Sequence, residues 1–227
     1  ANKYPRIMRR PSSASVFAFL FWPACAQTLL IAQSSEGGWV LKSRQDNVQV
    51  YYRQTEDVHE LKLVTTMRGT LSGVVRLFDD VHNYPKWGYR LRSARLVQRV
   101  SEVEMYYYVC LDFPWPLSDR DLIMHTYLKQ DPNTRILTST SRAAPDRLPE
   151  EEGTVRIRKA HSKWVVTPVA PGLLSVEYYL YSNPGGHLPD WLINMALDVG
   201  PRQTLKNMRA LLLDPFYQNV RLAHIRE

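Results

Sequence analysis

From Ala94 to Ser182 the apolar residues of this chain recur at every second position, in one run after another. Side chains alternate between the two faces of a strand, so Arg95–Ser101, Glu104–Phe113, Leu122–Lys129, Arg135–Ser141, Val155–Thr167 and Leu174–Ser182 read as strands. Short polar connections join them as in a meander. Two more alternating runs, Val48–Gln54 and Leu61–Met67, lie upstream, after a short amphipathic stretch at Trp39–Lys42. Between these groups Thr70 can cap a helix carrying Leu71, Val74, Val75, Phe78 and Val81 in helical spacing. Pro85, within His82–Trp87, stops it. After Pro184-Gly185-Gly186 comes the one long helical pattern, Pro189 to about Leu213, with Leu192, Met195, Ala196, Val199, Leu205, Met208 and Leu212 on its apolar stripe and a kink expected at Gly200-Pro201. Strands segregated from helices in this way predict an α+β fold built on an antiparallel sheet.

The chain has 227 residues, 44% of them hydrophobic, which suffices for one packed core and excludes disordered and collagen-like readings. Its formal charge of +7 is unevenly placed. Lys3, Arg6, Arg9 and Arg10 come before any acid, and removing those four from the 29 basic residues leaves 25 against 22 acidic ones. A body so near neutrality has no stripe to track phosphates, and nucleic acid is not an expected partner. The basic start is followed by the apolar Ser15–Trp22 and the small-residue pattern Ala24-Cys25-Ala26, the parts of an export signal. Ala14 to Ala32 is also 19 residues without a charge, so an uncleaved membrane anchor is the alternative. Either places the body outside the cytoplasm, periplasmic, secreted or tethered to the membrane, as the positive-inside rule also does. The organisation read from the sequence is therefore a signal or anchor at 1–32, a polar linker at 33–38, one domain at 39–215 and a tail at 216–227. Cys110 would be the sole thiol of the body, so no internal disulfide and no cysteine-based zinc site is expected.

No nucleophile elbow, P-loop, dinucleotide fingerprint or zinc-protease motif occurs. The histidines are scattered, and neither a catalytic residue, a metal nor a cofactor is assigned. Ser118-Asp119-Arg120-Asp121 reads as a turn whose charges pin backbone. In the strand around Tyr106-Tyr107-Tyr108 consecutive rings point to opposite faces and cannot form one stacking platform. Met105, Tyr107, Val109, Leu111 and Phe113 share the face expected to be buried; Tyr106 and Tyr108 join Glu104 and Asp112 on the other. In the next strand Leu122, Met124, Thr126 and Leu128 form the apolar face. Each face has one neutral polar group near its middle, Tyr107 and Thr126. Plain core and an apolar pocket with sparse orienting groups both fit that pattern.

Several separated segments resemble one family. Val81-His82-Asn83-Tyr84-Pro85-Lys86-Trp87, the stretch from Tyr107 through Phe113-Pro114-Trp115-Pro116-Leu117-Ser118-Asp119-Arg120-Asp121, Leu188–Asn194 and Gly200–Arg209 are similar, in order, to motifs of the START domains, the steroidogenic-acute-regulatory-protein-related lipid-transfer family. The resemblance runs from about Trp39 to Leu213. It implies a helix-grip fold, in which a curved antiparallel sheet wraps around a long C-terminal helix and leaves an apolar tunnel for one lipid. Gly200-Pro201 would then be a hinge for loading, or a bend that fits the helix to the sheet. The family's Arg-Asp turn corresponds to Arg120 and Asp121, with a structural role. Where some members carry a buried carboxylate and arginine, an ungapped count from Arg120 finds Tyr107 and Thr126, which implies a weakly polar ligand head group, or none. Arg90, Arg92, Arg142 and Arg158 stay uncommitted.

The resulting expectation is a non-enzymatic, monomeric binder of a lipid or other hydrophobic small molecule in the bacterial envelope, in transient contact with a membrane. Tyr107 and Thr126 would orient the ligand, and Met105, Val109, Met124, Val176, Tyr178, Leu192, Met195, Ala196, Val199 and Met208 would line the tunnel. The rival is a helix-grip cyclase or hydrolase of aromatic or hydrophobic substrates. That enzyme needs an inward acid–base pair, which the two assigned faces do not offer.

Overall fold

Among the described residues ten strands hydrogen-bond into a single sheet, nine in the order β1-β2-β3-β10-β9-β7-β6-β5-β4 and β8 branching from β6. The computed structural model describes residues 37–55, 58–183, 192 and 199–227. Three strands, β1 (Val40–Gln45), β2 (Val48–Thr55) and β3 (Val58–Arg68), precede helix α1 (Leu71–Asp79) and a 3-10 helix at Val81–Lys86. There follow β4 (Leu91–Ser101), β5 (Glu104–Leu111), β6 (Asp119–Gln130), β7 (Leu137–Ala143), β8 (Thr154–Arg156), β9 (Lys159–Ala170) and β10 (Leu173–Asn183). Helices α2 (Gly200–Leu211) and α3 (Pro215–Gln218) close the order. The sheet is antiparallel apart from the short β6–β8 pairing, and its two ends, β1 and β4, do not meet. This is the expected α+β architecture, a curved and unclosed sheet with few helices.

Alternation decides which side of the sheet is core. Val48 and Val50 of β2, Leu61, Leu63 and Met67 of β3, Val166 of β9 and Leu174 and Val176 of β10 are buried on one face. Helix α1 supplies Leu71, Val74, Val75 and Phe78 to that core, as its spacing predicts, and α2 supplies Leu205 and Met208, with Leu212 just beyond its end. Thr70 caps α1 by accepting from the Gly73 N–H at 3.0 Å. A Cβ at Gly73 would stand 2.6 Å from the Tyr217 carbonyl oxygen, so glycine is needed where α1 meets α3. The segment expected as a tail returns to the body. Tyr217 and Ile225 are buried, and the Glu227 carboxylate accepts from the Leu71 and Ser72 N–H groups at 2.8 and 3.0 Å, where a helix leaves donors free.

Several strand readings change. The run Val155–Thr167 is two strands, because Thr154–Arg156 pairs with Asp119–Asp121 of β6 whereas β9 pairs with β7 and β10. Arg120 and Asp121 therefore stand in β6, not in a turn. The buried arginine that the sequence left unplaced is Arg156. Its Nε and one terminal nitrogen donate to the two Asp121 oxygens at 2.9 and 2.8 Å, and both side chains are at most 1% exposed. The remaining donors reach the carbonyls of Pro145, Leu148 and Pro149 at 2.7, 3.1 and 2.9 Å, so every lobe of the guanidinium is used. That clamp holds residues 144–151 over the outer face. Tyr108, Cys110 and Ile123 are buried there as a second small core, although the sequence assigned Tyr108 to the open side. The expected helix from Pro189 is described at Leu192, which is buried, and from Val199 onward. Val199 already has helical angles (φ −67°, ψ −49°), so the helical path enters Gly200-Pro201 instead of starting there. Met195 and Ala196 lie outside the described residues, as do the other residues from 193 to 198 that would have to bend for the expected kink.

Replacing Asp121 by Asn should destabilise the protein by about 3 kcal/mol, because it leaves the Arg156 charge buried without its counter-ion. Denaturant unfolding checks this, and loss of protection from proteolysis should be concentrated in residues 144–151.

Candidate functional site

On the inner face the strand register sets three hydroxyls side by side. Thr126 of β6 lies opposite Ser141 of β7, and Ser141 lies opposite Ser162 of β9. All three are buried, in a sheet whose neighbouring inner positions are Met105, Met124, Leu128 and Leu180. The Thr126 and Ser141 oxygens are 2.7 Å apart. The Tyr107 hydroxyl, from β5, lies beside both of those side chains. The Thr126–Ser141 pair answers its own hydrogen-bonding needs, as buried polar groups must. The sequence singled out Tyr107 and Thr126 but missed Ser141 and Ser162, because only the register of β7 and β9 brings them into the same row.

Aromatic rings lie next to the hydroxyls. Tyr84, in the 3-10 helix, meets Tyr107 edge-on at 5.3 Å and Trp87 at 5.0 Å, and its hydroxyl donates to the Phe78 carbonyl at 2.6 Å. Trp164 of β9 stacks on Tyr178 of β10 at 3.8 Å and touches Phe78 and Trp87 at 5.4 and 6.3 Å. The helical insert after β3 thus reaches across the sheet to the strands that carry the hydroxyl row. Offset and edge contacts of this kind hold rings in fixed positions.

The electrostatics are those of a dry site. Burial pushes the phenols of Tyr84, Tyr107 and Tyr178 above their ordinary value. For Tyr84 and Tyr178 the neighbouring Tyr107 adds to that rise, whereas for Tyr107 the nearby Ser141 and Thr126 hydroxyls partly oppose it. All three keep their protons at neutral pH and act as neutral donors and acceptors. Arg120 shares the inner parity of Leu122 and Met124 but sits at the strand's end, with its guanidinium over the Phe113 ring at 4.7 Å and a bond to the Ser118 carbonyl.

The other predicted lining residues divide. Met105, Val109, Met124, Val176 and Met208 are buried in the same core as Trp164, and Tyr178 packs against it. Leu192 is buried as well. Val199 is 47% exposed, for a geometric reason. It precedes Met208 by nine residues, two and a half turns at about 3.6 residues per turn, and so faces the opposite way. A cavity of about 570 Å³ opens elsewhere, between the β9–β10 turn and the start of α1, lined by Thr70, Arg135, Val169, Leu174, Arg221 and Glu227. None of the predicted site residues lines it.

Residues 23–214 match the sequence model of the START domain. An uncharacterized protein of Pseudomonas aeruginosa is 28% identical over 174 residues, covering 76% of this chain and 85% of its own length. The mouse phosphatidylcholine transfer protein is 25% identical over 196 residues, covering 83% and 89%. Among solved structures, a STAR-related lipid transfer protein from Xanthomonas axonopodis superposes with a TM-score of 0.72 at 29% identity, over 78% of this chain and 99% of that one. The human StAR-related lipid transfer protein 5 has the same fold, with a TM-score of 0.68 at 16% identity over 81% and 90% of the two chains.

The buried phenols also set a pH limit on stability. Their folded-state pKa values lie above the unfolded value of about 10, so the folded chain holds protons that the unfolded chain gives up. Stability should be level up to about pH 9 and fall above about pH 10, each phenol contributing up to about 1.4 kcal/mol per pH unit. Tyr107→Phe should shallow that alkaline slope, measured by urea unfolding at pH 8 and pH 10.5.

Proposed function

Because the chain belongs to the START domain family, we propose that it binds a lipid or other hydrophobic molecule, without chemical conversion, between the inner face of the sheet and the C-terminal helix. The observation that carries this reading is the cluster of neutral hydroxyls of Tyr107, Thr126 and Ser141 set in an apolar, aromatic surround. Such a surface gains about 0.8 kcal/mol for each methylene it takes from water, while a few neutral hydroxyls orient the polar end of the ligand. A weakly polar head group fits phenols that hold their protons. A hydrolase or cyclase on the same fold would need a base, and these phenols, raised by burial, are poor ones.

Exchange with a membrane belongs to the same proposal. Trp115, between β5 and β6, is 92% exposed, and an indole presented in this way suits the bilayer interface. Export or anchoring through residues 1–32 would bring the domain to the envelope membranes of a bacterium, as a periplasmic or tethered carrier.

Native mass spectrometry of protein expressed with its own N-terminal segment, followed by organic extraction, should find about one lipid per chain with an uncharged or weakly polar head. The same spectrum gives the first residue of the mature chain. An empty protein that also fails to take up added lipids would overturn the proposal. Trp115→Ser should weaken sedimentation with phospholipid vesicles severalfold and leave thermal stability unchanged.

A further inference from the structure

Among the described residues, two buried side-chain nitrogens have no hydrogen-bond partner, Trp87 Nε1 and Arg209 Nε. Arg209 is anchored through its other nitrogens, which reach the Asp46 carbonyl and the Thr65 hydroxyl. Trp87 has no second polar atom in its side chain. An indole N–H donates and cannot accept, so it cannot swap roles with a neighbour as Thr126 and Ser141 can. The residue is 7% exposed and belongs to the same core as Tyr107 and Trp164.

Its position is well fixed. The Trp87 N–H donates to the Tyr84 carbonyl at 3.1 Å, and the Trp87 carbonyl accepts from the Asn207 side chain of α2 at 3.4 Å. Tyr84 and Trp164 pack edge-on against the indole. A lone donor among aromatic and aliphatic groups does not make a water site, because a buried water needs two to four polar partners. Leaving the donor unmatched destabilises the folded chain unless something else supplies the acceptor.

We propose that the bound ligand supplies it: Trp87 Nε1 donates to a carbonyl oxygen of an ester, ketone or amide, and this bond sets a preference for carbonyl-bearing lipids over their alkyl counterparts. The inference rests on the lipid-binding reading above and adds a specificity-determining residue to it. The division of labour follows from the chemistry. The Thr126 and Ser141 hydroxyls satisfy each other and tolerate a ligand group that both gives and takes, whereas Trp87 accepts only a group that takes.

The test compares 1-monooleoylglycerol with 1-O-oleylglycerol, the ether that lacks its carbonyl, on wild type and Trp87→Phe. Phenylalanine keeps a ring in place and removes the N–H. Wild type should prefer the ester, and the variant should lose three- to tenfold in affinity for the ester but not for the ether, the effect of one hydrogen bond. Its ligand-free melting temperature should stay level or rise, since an unmatched donor is gone. In 15N-indole spectra the Trp87 signal, the one of six that the variant lacks, should move downfield with the ester and less with the ether. Equal binding of both lipids by wild type, or a Trp87 signal unmoved by bound ester, overturns the role of Trp87 and leaves lipid binding standing. Binding of neither lipid, with none extracted from the native protein, overturns both readings. Should the variant not fold, the wild-type spectra decide alone.

Discussion

The pairing of β3 with β10 holds this molecule together. Leu63 lies opposite Tyr178 and Leu61 opposite Leu180, residues more than a hundred positions apart in the chain. Without that seam the first three strands would be a separate ribbon, too small to bury a face of their own. With it, β2 and β3 extend the inner surface begun by β9 and β10, and Val48, Val50 and Leu63 reach complete burial. Helix α2 is placed by the same seam. Arg209 binds the carbonyl of Asp46 and the hydroxyl of Thr65, both from the β2–β3 side, while Thr204 accepts from the Tyr89 N–H on the other side. The helix is thus tied to both the early strands and the segment after the 3-10 helix.

Charge is sorted by face. The Asp121–Arg156 pair is buried, yet it lies behind the sheet, where it fastens residues 144–151 instead of greeting a ligand. On the inner side the groups of the candidate site are hydroxyls and one indole N–H, all neutral. An ion pair in that position would favour a charged head group and penalise every other ligand. Under the proposed function, discrimination would rest on hydrogen bonds, which are modest individually.

Much of this was legible in the sequence, and the boundary of legibility has a physical cause. Period-two runs identified nearly all the strands and the inner rows of β5 and β6, because alternation depends only on neighbours in the chain. The spacing of Leu71, Val74, Val75 and Phe78 marked α1 for the same reason. What escaped depends on which strand lies beside which. Ser141 and Ser162 become site residues only through their register with Thr126. Tyr108 is covered only because Arg156 draws a loop across it, and Arg156 stands in a three-residue strand with no pattern of its own. Trp87 was visible within a family motif, but its unmatched N–H is a property of its surroundings and not of its type.

The β4 edge of the sheet has a consequence of its own. Strand β4 ends the sheet, and its register with β5 slips at three places, between Leu91 and Ser93, Leu96 and Gln98, and Arg99 and Ser101. It also carries Arg92, Arg95 and Arg99, each engaged by an acid from elsewhere in the chain, Asp119, Glu151 and Asp79 respectively. An irregular strand studded with cations is a poor template for a second strand. A protein that exposes a long sheet edge therefore guards it against growth into aggregates, and does so with the same arginines that brace the loop at Glu151, the start of β6 and α1.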